Sequence, residues 1–191
     1  MIKSFEILIT EHRAAVEKSF TPPHLEILEK ISRELLKALK AGHKILLCGN
    51  GGSAADSQHI AAEFIARFKR ERRSLPAIAL TTDTSILTAL ANDYDYSRVF
   101  SRQVEGLGSK GDVLIALSTS GNSKNVLEAV RQAKDQGLCT IGFTGASGGA
   151  LKGLADICFC AGSPKTPHIQ EVHITALHAV SEVVEDVLFG A

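Results

Sequence analysis

Residues 112–123, D-V-L-I-A-L-S-T-S-G-N-S, set an apolar run against a loop of hydroxyls and one glycine, ahead of a stretch with helical spacing. A buried strand that ends at a helix N-terminus brings unpaired backbone N–H groups and the positive end of the helix dipole to one point. Ser118, Thr119, Ser120 and Ser123 add hydroxyls there, which gives the loop the chemistry of a phosphate cradle. It lacks the lysine of G-x-x-x-x-G-K-[ST], so nothing reaches for a second or third phosphate, and a small molecule carrying one phosphate is the simplest guest. The same letters fit an ordinary strand-to-helix turn capped by Asn122. Support has to come from elsewhere in the chain.

A second glycine-rich turn, G-N-G-G-S-A-A, spans residues 49–55. Gly49, Gly51 and Ala54 satisfy the dinucleotide fingerprint G-x-G-x-x-A, but the next strand should then end on an acidic residue, and Asp83 falls several positions past it. A sugar-binding turn fits better: Asn50 contacts hydroxyls, Gly51 and Gly52 let the backbone approach, and Ser53 caps the helix that follows. A purely structural glycine turn is the competing reading.

On that helix His59 and Glu63 are four apart and share a face, a spacing that suits two ligands to one metal or an imidazole–carboxylate acid/base pair. Their neighbours Ile60, Ala61, Ala62 and Phe64 are apolar, so the face is not simply a solvated one. Arg67, a turn further on, can hold an anionic or hydroxyl-rich substrate, whereas Lys69, Arg70, Arg72 and Arg73 read as cations at a helix C-terminus. Asn92 and Asp93 fall in a loop after a short helix, as turn formers or as groups that orient a substrate hydroxyl. In the last helix Gln170 and His178 sit among apolar residues and need partners if buried. Eight helical residues separate their Cα atoms by about 12 Å, so they converge on one ion at the limit of their reach or serve neighbouring subunits. His12, His24, His43 and His168 have no supporting constellation and read as solvated or capping residues.

The elements that must position these residues follow from periodicity. Apolar positions at helical spacing mark residues 4–19 and 24–40, with Leu25, Leu28, Ile31, Leu35 and Leu39 as a stripe and Thr21, Pro22 and Pro23 between the two helices. Strands over 44–48, 77–80, 112–117, 139–143 and 156–160 alternate with helices over 53–69, 84–91, 97–106, 122–136, 148–154 and 168–189. Short, unalternating, β-branched strands separated by helices predict an α/β fold with a parallel sheet covered on both faces, and the ligand at the strands' carboxyl ends. The two N-terminal helices carry more apolar surface than one small sheet needs, which predicts that some of it meets another subunit.

The 191 residues suit one domain, with a helical pair over 1–40 and an α/β core over 41–191. Lysine plus arginine equals aspartate plus glutamate at 21 each, so no net field draws the chain to nucleic acid or to an acidic membrane surface. Cys48, Cys139, Cys158 and Cys160 fall in apolar runs without a C-x-x-C, as small buried hydrophobes in a reducing compartment. Acidic residues near the N-terminus argue against a signal peptide, and no apolar run reaches membrane-span length. The expectation is a cytoplasmic protein.

With N-G-G-S-A-A-D-S-Q-H-I-A-A-E, S-T-S-G-N-S and I-Q-E-V-H-I-T-A-L-H in one chain of this length, the sequence resembles the phosphoheptose isomerases of the sugar isomerase (SIS) domain family over nearly its whole extent. The resemblance implies a flavodoxin-like three-layer sandwich on a five-stranded parallel sheet, assembled as a homotetramer. It implies conversion of sedoheptulose 7-phosphate to D-glycero-D-manno-heptose 7-phosphate for heptose and surface-glycan synthesis. Transferred by position, it puts Asn50, Gly51, Gly52, Asn92, Asp93, Ser118, Thr119, Ser120, Ser123 and Gln170 on the substrate. It also implies one zinc per subunit held by His59, Glu63, Gln170 and His178, with Glu63 and His178 as the acid/base pair. One departure is visible: the family commonly has arginine where this chain has His168, here preceded by Pro167. Some relatives of the same fold lack the acidic and histidine positions and serve as scaffolds that bind the bacterial replication initiator; Glu63 and His178 favour the enzyme. Sugar phosphate sensors of this fold carry a separate DNA-binding domain, which the two N-terminal helices, with no basic patch, do not supply.

Overall fold

Strands β1 (Ile45–Cys48), β2 (Ala77–Ala79), β3 (Val113–Leu117), β4 (Cys139–Thr144) and β5 (Ile157–Cys160) pair in parallel in the order β2-β1-β3-β4-β5. The computed structural model describes residues 2–190. Every residue of β1 and β3 is buried, which is why these runs show no polar alternation and need helices on both faces.

Successive side chains of a strand point to opposite faces, and two apolar clusters follow from that. Leu47, Ile115 and Phe143 pack with α2 (Pro22–Lys40), α3 (Gly52–Ile65) and α8 (Thr166–Phe189) through Leu28, Ile31, Leu35, Ile60, Phe64, Val172 and Leu177. Leu46, Leu114 and Ala116 pack on the other side with α5 (Ser101–Leu107), α6 (Lys124–Asp135) and α7 (Gly149–Leu154), through Val104, Val126, Val130 and Leu151. The chain leaves β1 for β2 on one side and returns to β3 on the other. The carboxyl ends of β1 and β3 therefore flank a topological switch point, where a crevice opens in this class of sheet.

The N-terminal helices divide their roles unequally. In α2 the residues Leu28, Ile31, Leu35 and Leu39 of the predicted stripe are buried, and only Leu25 is exposed; in α1 (Ile2–Ser19) the large apolar residues Phe5, Leu8 and Ile9 stay more than half exposed. Surplus apolar surface is thus concentrated on α1, with more in a groove of about 450 Å³ between α2 and α8 lined by Leu25, Leu36, Val183 and Val187. Among the described residues no helix is long and apolar enough to cross a membrane. All four cysteines are free; Cys48 is buried, and the other three are only half-buried.

Three elements depart from the sequence reading, one of them the helix expected over 97–106, which is a 3-10 turn over Tyr96–Arg98 followed separately by α5. The helix after β1 ends at Ile65 rather than 69, because the N–H groups of Phe68, Lys69 and Arg70 turn to the Glu185 carboxylate, at 3.0, 2.7 and 2.9 Å. α4 (Thr84–Asp93) runs on through Asn92 and Asp93, which are helical and not in a loop. Its start is as expected of an aspartate: the Asp83 carboxylate accepts from the Ile86 N–H at 2.9 Å.

Two buried ionisable groups on α8 make stability depend on pH. His173 is fully buried, its Nε2 is 3.0 Å from the Thr144 carbonyl oxygen, and burial outweighs that hydrogen bond to bring it down to about 4. For Glu185, burial alone would push the carboxyl up; the Lys69, Phe68 and Arg70 N–H groups and the Arg72 guanidinium overcome this and hold it at about 2. Between the ordinary histidine value of 6.5 and about 4 the unfolded chain binds a proton that the folded one refuses, so stability falls as pH drops through that window. The Glu185 contribution is present above about 4.5 and is lost only below it. At about 1.4 kcal/mol per pH unit, urea unfolding should show a loss of about 3 kcal/mol between pH 7 and pH 4.5 attributable to His173. His173→Gln, which can still donate to Thr144, should flatten that slope; an unchanged slope would show that His173 titrates normally.

Candidate active site

Helices α3 and α8 run side by side in the same direction, and the register between them assembles the first part of the site. Gly52 lies under the Gln170 amide: a Cβ at Gly52 would stand 2.6 Å from Gln170 Nε2, so any larger residue would push that amide aside. Two turns on, His178 Nε2 is 3.3 Å from His59 Nε2, which is 3.1 Å from Glu63 Oε1. The three ligand atoms lie within 4.8 Å of one another. The His178 value is lowered by burial first and then by His59, with Glu63 opposing.

The donor set fits a metal ion. A tetrahedral ion with N and O bonds of about 2.0–2.1 Å keeps its ligands about 3.3 Å apart, which matches the observed 3.3 and 3.1 Å. Two imidazole nitrogens facing each other beside a carboxylate also call for a shared proton or cation. Asp56, three residues before His59 on α3, was not singled out by the sequence reading: its carboxyl is pushed up to about 6 by burial despite His59, and Oδ2 is buried without a partner. The signal was present in the spacing of Asp56, His59 and Glu63 along one helix face.

The second part of the site is the 118–123 loop after β3. The buried Ser118 donates from Oγ to Ser123 Oγ at 2.9 Å, and Ser123, not Asn122, holds the N-cap position of α6. Asn122 closes the loop instead: Nδ2 donates to the Ser120 carbonyl at 3.1 Å and Oδ1 accepts from the Ala150 N–H at 3.0 Å. Gly121 has φ +68°, and a Cβ there would stand 2.1 Å from the Gly148 oxygen. Among the described residues the Thr119 and Ser120 N–H groups donate to no protein acceptor. Beside them is a cavity of about 330 Å³ lined by Thr119, Ser120, Asn122, Ser147, Ser163 and Thr166. The loop therefore offers free amides, hydroxyls and space at the carboxyl end of a central strand, which is what a phosphate needs.

Across the switch point, Asn50 exchanges hydrogen bonds with Asn125 at 2.9 and 2.8 Å, tying the β1 turn to α6. Asn50 thus has a structural partner that sequence reasoning missed, since the two lie 75 positions apart. Gly51 takes the N-cap position of α3, and Ser53 is the helix's second residue and buried, which corrects its expected capping role.

A model of the SIS domain matches residues 11–145. A phosphoheptose isomerase from Roseiflexus sp. (strain RS-1) is 60% identical over 159 residues, covering 83% of this chain and 81% of its own, and one from Bradyrhizobium sp. (strain ORS 278) is 49% identical over 98% of both. The chain belongs to the phosphoheptose isomerase family. The solved structure of a phosphoheptose isomerase from Neisseria gonorrhoeae superposes with a TM-score of 0.91 at 40% identity, covering 96% of this chain and 98% of that one.

The structure thus pairs a cluster of two imidazoles and a carboxylate with a loop of free amides and hydroxyls beside a cavity. Of the four ligands expected of a phosphoheptose isomerase, the structure groups His59, Glu63 and His178, while the Gln170 amide lies against Gly52. Arg67 is exposed and pairs with Glu71 at 3.6 Å. Asn92 donates to Asp93 at 2.8 Å at the exposed end of α4, with no hydrogen bond to the other site residues among those described. Arg72, expected at the surface of a helix end, is buried and donates to the Phe64 and Glu63 carbonyls. His168 and His12 are not simply solvated either: His168 is buried edge-on to His12 at 6.0 Å, and His12 Nδ1 is 2.6 Å from Glu171 Oε2. His24 does not cap the helix backbone: its Nδ1 is 2.7 Å from Thr21 Oγ1 and its Nε2 is 3.2 Å from the Cys160 carbonyl oxygen.

Gly121→Ala places a Cβ in a left-handed backbone at a cost of about 1–2 kcal/mol, on top of the clash with Gly148. It should lower the melting temperature by several degrees and weaken inorganic phosphate binding at least tenfold by calorimetry. Unchanged phosphate affinity would remove this loop from anion binding.

Proposed function

We propose that the protein converts sedoheptulose 7-phosphate to D-glycero-D-manno-heptose 7-phosphate for heptose synthesis, with Glu63 and His178 as the acid/base pair. The observation that carries the reading is the meeting of Glu63, His59 and His178 from two helices 119 positions apart in sequence. Moving a hydrogen from C1 of a ketose to C2 of an aldose requires a base, an acid and stabilisation of the oxygen that gains charge in the enediolate.

In this reading the phosphate sits in the 118–123 loop, on the Ser118, Thr119, Ser120 and Ser123 hydroxyls and the free amides. The sugar then extends along the Asn50–Gly52 turn toward Ser53 and Gln170. Glu63 takes the C1 proton, and His178 handles the proton at the oxygen or at C2. Burial and the neighbouring His59 lower the basicity of His178, which favours the neutral ring, the form that can accept a proton. Asp56, raised to about 6, adds a carboxyl able to hold a hydroxyl hydrogen bond in either protonation state.

Zinc, held by His59, Glu63 and His178 with Gln170 as the remaining donor, would supply a fixed positive charge that polarises a substrate oxygen and keeps the pair in register. A carboxylate or imidazole bound to the ion would be a weaker base, so the metal would chiefly position residues, with Glu63 and His178 moving protons and His59 orienting both.

The assembly proposed is a homotetramer. Support comes from the exposed apolar face of α1, the α2–α8 groove and an α4 with no buried residue. Packing of copies gives Asn92, Asp93 and Arg67, whose side chains among the described residues form hydrogen bonds or ion pairs only with each other or Glu71, a route to a neighbour's substrate. It likewise lets Gln170 serve a neighbouring site, the second of the two arrangements its spacing from His178 allows.

Purified protein incubated with sedoheptulose 7-phosphate should form the aldose, and Glu63→Gln should lower kcat by at least about a thousandfold with sugar phosphate affinity and assembly within a few-fold of wild type. Near-normal turnover in that variant would remove Glu63 from the chemistry. Dialysis against a chelator should abolish most turnover and zinc should restore it; full activity after verified metal removal would show that the triad works as bare side chains.

A further inference from the structure

The segment after α3 is held by a buried ion pair. Arg72 and Glu185 side chains are each 2% exposed, and Arg72 Nε donates to Glu185 Oε1 at 2.8 Å. The rest of the Arg72 fork reaches the last turn of α3: Nη2 donates to the Glu63 carbonyl at 2.8 Å and Nη1 to the Phe64 carbonyl at 2.9 Å. Glu185 spends its remaining lone pairs on the N–H groups of Phe68, Lys69 and Arg70. That wrapping lays the Phe68 ring on the His178 imidazole, with centroids 5.7 Å apart and planes at 35°. Glu185 itself lies seven residues after His178, two turns along the same face of α8.

One pair therefore grips both carriers of the acid/base groups. It holds the backbone of Glu63 through its carbonyl and backs the ring of His178 through Phe68. The Glu63 and Phe64 carbonyls belong to the last turn of α3 and lack intrahelical donors, so Arg72 also caps that helix; what goes beyond capping is that the same pair seats the Phe68 ring against His178. We propose that Arg72 and Glu185 are positioning residues for Glu63 and His178, acting through the α3 end and the Phe68 ring. The inference rests on the functional reading above for its consequence in turnover, and on the geometry alone for its effect on His178.

The test compares Arg72→Lys, which keeps the charge but loses the fork, with Phe68→Leu, which leaves the ion pair intact and removes only the ring. Both are measured well below their melting temperatures. A misplacement near 1 Å costs up to about a hundredfold in rate, so kcat should fall about 10–100-fold in each variant with KM within about threefold. The His178 ring proton resonances should move in both variants from their wild-type, ring-shifted positions. Wild-type kcat together with unmoved His178 resonances in Arg72→Lys would overturn the proposal and leave the pair a purely structural one. If the wild-type protein itself proves inactive on the sugar phosphate, the functional reading fails separately, and the His178 resonances alone decide whether the clamp exists.

Discussion

The register between α3 and α8 is the constraint on which the site depends. Both helices descend from the carboxyl edge of the sheet on the same face, packed through Ile60, Phe64, Val172 and Leu177 against the central strands. Once that apolar contact fixes how far each has slid, three meetings follow at successive levels: Gly52 with Gln170, His59 with His178, and the segment after α3 with Glu185. A shift of one helical turn would move a donor by about 5.4 Å and separate every one of these pairs. Packing energy that is indifferent to chemistry thus sets the chemical geometry.

The sheet order adds the second constraint. Reversal of direction between β1 and β3 leaves the Gly49–Gly52 turn and the 118–123 loop on either side of one crevice, and the Asn50–Asn125 amide pair keeps them in fixed relation. A neutral double hydrogen bond is well suited to this, because it satisfies both amides without placing a charge in the crevice. The 118–123 loop is thereby tied to the helix that carries His59 and Glu63, since Gly51 holds the N-cap position of α3 directly after Asn50.

Much of the fold was legible because its strands are short apolar runs with no alternation, the mark of burial on both faces. The pairing of His59 with Glu63 was legible too, because a spacing of four on a helix is a local fact. What escaped depends on partners far away in the chain. The end of α3 at Ile65 is set by Glu185, and nothing near residue 66 announces it. Asn50 was expected to face substrate alone because Asn125 lies in another helix. The histidines of α8 show the same limit: His173 and His178 both sit among apolar neighbours, yet one turns wholly into the core toward Thr144 and the other meets His59. Which face of α8 looks inward is decided by α2 and α3 together, not by the letters around either histidine. His168 is likewise buried, edge-on to His12, which nothing in its neighbouring letters announces.

The most direct measurement is a crystal structure of Glu63→Gln soaked with sedoheptulose 7-phosphate. Density should show the phosphate on the 118–123 loop and the first two carbons of the sugar within about 4 Å of the residue 63 side chain and the His178 imidazole, which is contact distance. Those groups come from one subunit or meet across copies. A sugar phosphate bound with its first two carbons away from both side chains would contradict the central claim.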